Sequence, residues 1–494
     1  MVVVCACAVV SATVPSFDVP PPPQQAGMHL YDTRTRQPEQ IRPGTPGLLR
    51  MYACGPTVYR DAHVGNLRSF LLRDLISRVG EVLHHWRVEV VQNITDVGHL
   101  QDDTLDEGED KMLAAARQEG RSPLEIARTY EAAFHRDLAA LNVTPAGTYP
   151  RASECIPIML QLIGTLLGQA HAYVGEESSV FFDARSFPTY GALSGNRVEE
   201  LRPGHGASAQ STAAGKRFHA DWALWKAAGT SRTLVYNSPW GPGFPGWHVE
   251  CSAMSLHYLG EHIDIHTGGI DLRFPHHEDE RAQSDSAVGH EVVRHWVHGE
   301  HLLFDGRKMA KSTGNVVLLP DLVEAGYDPL ALRLFFLQGR YRQQLNLTWD
   351  ALAAADRTLT RWRSRMAEWA EWPSQPMAPG YLERMISALD DDLDTPAALI
   401  TLRELERTAE AAPGAKFETF AYVDRLLGLD LARDVGRPAA PVTLPPGAED
   451  LLRQRAAARA AKDFATSDRI RGALADLGVT VTDTPDGQQP NLRR

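Results

Sequence analysis

Residues 48–97 read LLRMYACGPTVYRDAHVGNLRSFLLRDLISRVGEVLHHWRVEVVQNITDV, and their punctuation decides the fold. An apolar run ending in Gly55-Pro56 has the length and bounds of a buried strand. His63-Val64-Gly65-Asn66 then opens a stretch, LRSFLLRDLISRV, that is apolar at helical spacing. VEVVQNITDV follows as a second strand of mostly β-branched residues. Strand, glycine-containing turn, helix and strand begin a parallel α/β unit, where phosphates sit at the helix N-terminus. A lone H-V-G-N is a short match and reads equally as a surface turn.

The α/β pattern resumes at Trp240, with a helix around His248–Leu259 and a strand over His262–His266. A His266-Thr267-Gly268-Gly269 turn follows, then a helix carrying His276 and Glu280 and a strand near Val293–His298. Spacing i, i+4 puts His276 and Glu280 on one helix face, one turn apart. With Cys251 upstream and Cys54 from the first half, the stretch offers thiolate, imidazole and carboxylate, all zinc ligands. Singly, each has an ordinary structural reading: a free cysteine packs as a small buried residue, and His276-His277 can cap or pack. Asp305-Gly306 then makes a tight turn with positive φ, directly before Lys308-Met309-Ala310-Lys311-Ser312. Lys308 and Lys311, joined to His63 and Asn66, make a site for triphosphate charge plausible. Two lysines in a polar loop alone read as solvated surface.

Residues 105–170 are expected to be mostly helical, and 178–235 irregular, with a Gly/Ser/Ala-rich stretch from Pro203 to Gly215. This middle section is expected to be an insertion between the two halves of a doubly wound sheet. Beyond residue 320 the chain is expected to be helical to its end. Arg361-Trp362-Arg363 and Arg365 form a basic-aromatic patch, and a Pro-rich linker (Arg437–Pro446) precedes one last basic helix over residues 451–478.

The 494 residues exceed one usual domain, and no run approaches a membrane span. A net charge of −12 does not advertise a nucleic-acid binder, although phosphate contacts need only a local basic face. Five cysteines, an odd number, form no disulfide framework and fit a reducing compartment. Residues 1–27 lack a basic n-region and contain Pro20–Pro23; they read as a disordered or mis-assigned extension, with Met28 the start, above export.

MYACGPTVYRDAHVGN, NITDVGHL, DWALWK, SPWG, GWHVECSAM, HTGGIDLRFPHHEDE and KMAKSTGN occur in that order. Together they resemble the pattern of the cysteinyl-tRNA synthetases, members of the first class of aminoacyl-tRNA synthetases, from about Met28 to Gly487. The resemblance implies a split Rossmann-like catalytic domain followed by C-terminal α-helical tRNA-binding domains. It implies one zinc on Cys54, Cys251, His276 and Glu280, and cysteine contacts from Gly55, Thr95, Trp247 and His266. ATP, with magnesium, would meet His63, Gly65, Asn66, Gly268, Gly269, Asp271 and Lys311, with Lys308 beside them in the catalytic set. The reaction implied is formation of cysteinyl-adenylate and transfer to tRNA(Cys), by a cytoplasmic monomer with no membrane partner. The implied divisions are 28–135 and 240–320 for the catalytic halves, 136–239 for the insertion, 321–375 for a stem-contact-like region and 376–494 for the anticodon-binding part and tail.

Three positions depart from that pattern. Ala310 stands where the lysine loop usually has serine, Phe244 where an arginine is usual, and the tail lacks a terminal tryptophan. Two other readings share the motifs: a mycothiol-pathway ligase joining cysteine to an amino sugar, and a non-catalytic tRNA-binding paralogue. The 182 residues after Ser312 (494 − 312) favour tRNA over the amino sugar, and intact metal and ATP motifs weigh against the paralogue.

Overall fold

Strand, turn, helix and strand follow one another as the pattern requires. The computed structural model describes residues 27–98, 100–102, 107–197, 215–228, 232, 234–309, 314–437, 444–484 and 487–492. Leu48–Ala53 is a strand (β1), Val64–Val82 a helix (α1) and Arg87–Gln92 a parallel strand (β2), with Met51 opposite Val90. His63 caps α1 reciprocally: its Nδ1 accepts from the Asn66 amide and the Asn66 side chain accepts from its own amide, both at 3.2 Å. Leu67, Leu71, Leu75 and Ile76 hold the helix on the sheet, each burial worth about 1.5–3 kcal/mol.

The second half supplies Trp247–Leu259 (α2), Ile263–Gly269 (β3), His276–Val288 (α3) and Val293–Gly299 (β4). The sheet order is β4-β3-β1-β2, parallel throughout, with Ile265 beside Met51 and Ile263 beside Val293. One apolar core, with Leu49, Met51 and Val90, lies on the α1 face; a second, with Tyr52, Met254 and Trp296, lies on the α2–α3 face. The chain winds outward from β1 in one direction and from β3 in the other. The crevice at their C-terminal ends is therefore the topological switch point, where open parallel sheets bind ligands.

Helices Lys111–Glu119, Pro123–Ala140 and Ile156–Gly168 occupy the stretch expected to be helical. The region expected to be irregular, 178–235, carries two strands, Val180–Phe182 and Trp222–Ala227, which pair with the flanking Ala172–Val174 and Gly243–Pro245 into a four-stranded antiparallel sheet. VFF and the start of WALWKA are buried without alternation, so they carry no period-2 signal. Phe182 stacks on Trp222 at 4.5 Å instead. Most of the Pro203–Gly215 stretch lies outside the described residues, as does the extension before Gly27.

Helices Pro329–Leu337, Trp349–Trp369, Pro379–Asp390, Thr395–Arg407 and Pro413–Leu427 build the C-terminal part. Arg333 ties it to the sheet. Its fully buried guanidinium donates to Asp74 of α1 (2.7 Å), to the Leu141 and Asn142 carbonyls (both 2.9 Å) and to the Leu427 carbonyl (2.6 Å). A Cβ at Gly428 would lie 2.5 Å from this guanidinium, so the close approach needs glycine there.

Two expectations for the C-terminal half are corrected. The last basic helix is two, Ala448–Ala460 and Phe464–Asp476; Lys462 takes φ +58° and Asp463 caps the second by accepting from the Thr466 amide. An antiparallel hairpin follows, Val479–Thr484 with Gly487–Leu492, whose β-branched VTVT overrides the helical trend. Nor is the patch at 361–365 an open basic surface. Trp362 is fully buried, Arg363 pairs with Asp328, and Arg361 with Glu406. Among the described residues no helix is long and apolar enough to cross a membrane.

Candidate active site

The switch point gathers donors from three elements. Cys54 leaves the end of β1, Cys251 sits in the second turn of α2, and His276 and Glu280 lie on the first turns of α3; all four are buried. Cys54 Sγ is 4.0 Å from Cys251 Sγ, 3.6 Å from His276 Nε2 and 3.6 Å from Glu280 Oε1. The helical i, i+4 spacing brings His276 Nε2 to 3.0 Å from Glu280 Oε1. Two sulfurs held tetrahedrally at ~2.3 Å from zinc stand ~3.8 Å apart, which is close to the separation found.

The electrostatics of this cluster ask for a cation. Burial pushes the Cys54 thiol well above its ordinary value, with Cys251 and Glu280 adding to the rise. Burial pushes Cys251 up as well, but the hydrogen bonds with Cys54 and His276 outweigh it and leave that thiol below its ordinary value. Burial would lower His276, yet Glu280 and Cys251 raise it to about 10. Glu280 Oε2 is buried without a hydrogen-bond partner. Two sulfurs, one imidazole nitrogen and a spare carboxylate oxygen, gathered away from water, fit a borderline-soft divalent metal.

A fifth donor was missed in the sequence. His277, read there as a capping or packing residue, places Nε2 3.2 Å from Cys54 Sγ and joins Cys54, His276 and Glu280 in one ligand-spaced group. Its Nδ1 meets His298 Nε2 at 2.8 Å, and His298 Nδ1 meets Thr33 Oγ1 at 2.7 Å. Behind His276 runs a second chain: its Nδ1 meets His248 Nδ1 at 2.8 Å, His248 Nε2 lies 3.3 Å from Asp279, and Asp279 accepts from the Tyr190 hydroxyl. Spacing held part of this signal, since His248 is three residues before Cys251 and Asp279 three after His276. Such outer partners fix ring orientation and tautomer. His248→Ala is therefore expected to weaken metal binding about 10–100-fold, read by competition with a chelator.

The residues expected around the amino acid line the same crevice. His266 Nε2 lies 3.5 Å from Cys54 Sγ, and its ring stacks on Trp296 at 4.6 Å; burial brings its pKa down to about 4, so it is neutral at pH 7. Trp247, at the start of α2, has its ring 4.3 Å from that of His276. Gly55 is compulsory, because a Cβ there would lie 1.7 Å from the Asn93 carbonyl; its amide donates to Asn93 Oδ1 at 2.8 Å. Asn93 also donates to Thr95 Oγ1 (3.1 Å), which in turn donates to the buried Glu250 (2.9 Å).

The residues expected at the nucleotide converge beside them. Val64 N donates to the Val317 carbonyl at 3.0 Å, and His63 bridges to Leu318, so the start of α1 abuts the segment that follows the lysine loop. A Cβ on Gly65 would stand 2.9 Å from the Met309 methyl, next to Lys308. Burial lowers His63 from its ordinary value, Arg60 and Lys308 lower it further, and Asp271 opposes them; those charges therefore share one space. At the β3 turn a Cβ on Gly268 would meet His277 at 2.8 Å, and one on Gly269 would meet Asp271 at 2.5 Å. The hairpin before the loop turns through Asp305 (φ +47°) and Gly306 (φ +76°), as Asp-Gly predicts. Lys311 and Ala310 lie outside the described residues. At the departure Phe244, the Arg232 guanidinium lies 3.4 Å above the ring, so a positive charge stands there from another position.

A split parallel sheet, with a capped helix and Lys308 near its switch point and a helical C-terminal part, is the architecture of a class I aminoacyl-tRNA synthetase. Methionyl-tRNA synthetase of Mycobacterium tuberculosis, bound by methionyl-adenylate, shares that fold at a TM-score of 0.55 and 16% identity, covering 77% of this chain and 92% of its own. A leucyl enzyme of Agrobacterium radiobacter in a ternary complex with tRNA matches at 0.55 and 12%, covering 79% and 84%. The family model for the class I (C) tRNA synthetase catalytic domain matches residues 40–357, and that for the cysteinyl-tRNA ligase anticodon-binding domain matches 442–489. Cysteine–tRNA ligases of Thermus thermophilus and Chlorobaculum tepidum are 43% and 40% identical, covering 95% and 94% of this chain and 100% and 98% of their own. The chain belongs to the cysteine–tRNA ligase family.

Proposed function

We propose that the enzyme attaches L-cysteine to tRNA(Cys) in two steps, through cysteinyl-adenylate. The observation that carries the reading is the convergence of Cys54, Cys251, His276 and Glu280 directly beside the space bounded by His63, Asp271 and Lys308. Zinc would be held by those four residues. Cys251 is preferred to His277 as the fourth ligand, because its sulfur stands 4.0 Å from Cys54 Sγ, close to the spacing of two thiolates on one zinc. When bound, the metal supplies a soft Lewis acid that accepts a thiolate and disfavours a hydroxyl.

The chain's own residues do the rest. Gly55, Thr95, Trp247 and neutral His266 orient the amino and carboxylate groups of cysteine. Gly268 and Gly269 let the nucleotide approach the backbone, and Asp271 takes a ribose hydroxyl. The carboxylate of cysteine attacks the α-phosphorus of ATP in line, and the bond to pyrophosphate breaks. His63, Asn66, Lys308 and Lys311 stabilise the charge on the phosphoryl oxygens and the leaving group, with magnesium accompanying ATP. Positioning dominates, since little covalent work falls to side chains.

Residues 28–135 and 240–320 would form the catalytic halves around the 136–239 insertion, with 321–375 contacting the tRNA stem and 376–494 the anticodon; the anticodon-binding model, at 442–489, falls within the last of these. The enzyme would work as a cytoplasmic monomer; Cys54, Cys155 and Cys251, free and buried among the described residues, fit a reducing compartment. Cysteine-dependent exchange of labelled pyrophosphate into ATP tests the first step. The parent is expected to catalyse it, and Lys311→Ala to do so on the order of 10²–10³-fold more slowly. No exchange by the zinc-loaded parent would refute the adenylate.

A further inference from the structure

A second group of ligand-type side chains lies outside this site, on the seam between the N-terminal hairpin and the sheet. The hairpin pairs His29–Asp32 with Gln37–Gln40, and Leu30 opposite Glu39 puts Asp32 and Glu39 on one face. That face meets His295 on the edge strand β4, whose next residue, Trp296, stacks on His266. His295 Nδ1 is 3.7 Å from Asp32 Oδ2 and 3.4 Å from Glu39 Oε2, and the three donor atoms lie within 4.8 Å of one another. Asp32 is fully buried. Its Oδ1 accepts from the Arg34 amide at 2.6 Å, but Oδ2 has no hydrogen-bond partner, and neither has His295 Nδ1.

An orphaned carboxylate oxygen in the interior is costly, and the imidazole facing it is too far away to relieve it by a hydrogen bond. The spacing is that of ligands rather than of a direct pair: nitrogen and oxygen held at ~2.1 Å around a tetrahedral ion stand ~3.4 Å apart. We infer that Asp32, Glu39 and His295 bind a second divalent cation. One imidazole and two carboxylates, with no sulfur, suit zinc, cobalt or manganese. Glu39 is 35% exposed on its side chain, which leaves the outer coordination positions to water. The ion joins the hairpin to β4, whose Trp296 and His298 back the catalytic cluster.

The test is a count of zinc in the full-length protein after equilibration with zinc chloride and gel filtration, by inductively coupled plasma mass spectrometry. The parent is expected to hold about two ions per chain, Glu39→Ala about one and Cys251→Ser about one, each variant losing a different ion. Cobalt loading separates them spectroscopically, because only the cysteine site gives thiolate-to-metal charge transfer. A parent with one ion that Glu39→Ala retains would overturn the inference and leave an ion pair at the seam. Two ions retained in both Glu39→Ala and His295→Asn would overturn it equally. A single ion lost in Glu39→Ala and kept in Cys251→Ser would support this site and count against the cysteine cluster instead.

Discussion

Cys251→Ser is expected to lose the metal and, with it, recognition of cysteine. The substitution exchanges a buried, acidified thiol 4.0 Å from Cys54 Sγ for a hydroxyl that zinc does not favour. Loss of a direct ligand should exceed the 10–100-fold typical of outer partners, so zinc affinity should fall by more than about 10²-fold. The parent should prefer cysteine to serine by roughly 10⁴–10⁵ in kcat/KM, because a buried site built for one functional group rejects the analogue lacking it. In the variant that preference should collapse, since the proposed metal would be its source. Chelator competition and pyrophosphate exchange with both amino acids read the two effects. Unchanged zinc content would show that Cys251 is not a ligand and would move His277 into its place.

Arg333→Ala should have the largest effect on stability. It takes from the fully buried Asp74 carboxylate one of its two guanidinium partners, leaving Arg78, and deprives the buried Leu141 and Leu427 carbonyls of their guanidinium donor, while Asn142 still accepts from Arg78. Breaking a buried pair from one side costs about 3–5 kcal/mol. The pH dependence has a definite sign. Burial raises the Asp74 carboxyl, but Arg333, Arg78 and the Thr144 amide together hold it below its ordinary value. A carboxyl lowered on folding adds stability above its unfolded pKa of about 4, and that stability is lost as pH falls through the folded value. Arg333→Ala removes the largest of the causes that lower Asp74, so the parent–variant gap in urea unfolding should be widest near neutrality and narrow below about pH 4. A gap that widens toward acid would contradict the assignment.

The catalytic sheet was legible because its punctuation is strong. The glycine turns at Gly55 and Gly268-Gly269 bound runs with a single period, and Asp305-Gly306 adopts the two positive φ values that its residue types allow. Cys54, Cys251, His276 and Glu280 stood out as ligand types, but their convergence was not readable, because it depends on β1 and β3 becoming neighbours across a gap of more than 200 residues. His277 did not stand out because α3 is buried all round; with no exposed face, its period does not distinguish a donor from a packing residue. The antiparallel sheet of the insertion was hidden by short, fully buried strands, and the basic-aromatic patch misled because Trp362 and Arg363 face inward to partners far along the chain. Asp32, Glu39 and His295 carry no sequence signal, since hairpin register and sheet edge alone bring them together.

Transfer of labelled cysteine to tRNA bearing a GCA anticodon, in the presence of ATP and zinc, tests the proposed activity most directly. Cysteinyl-tRNA should accumulate with the parent and not with Cys251→Ser. Pyrophosphate exchange without any charged tRNA would show that cysteine is activated for another acceptor, such as an amino sugar, and would contradict the assignment of tRNA.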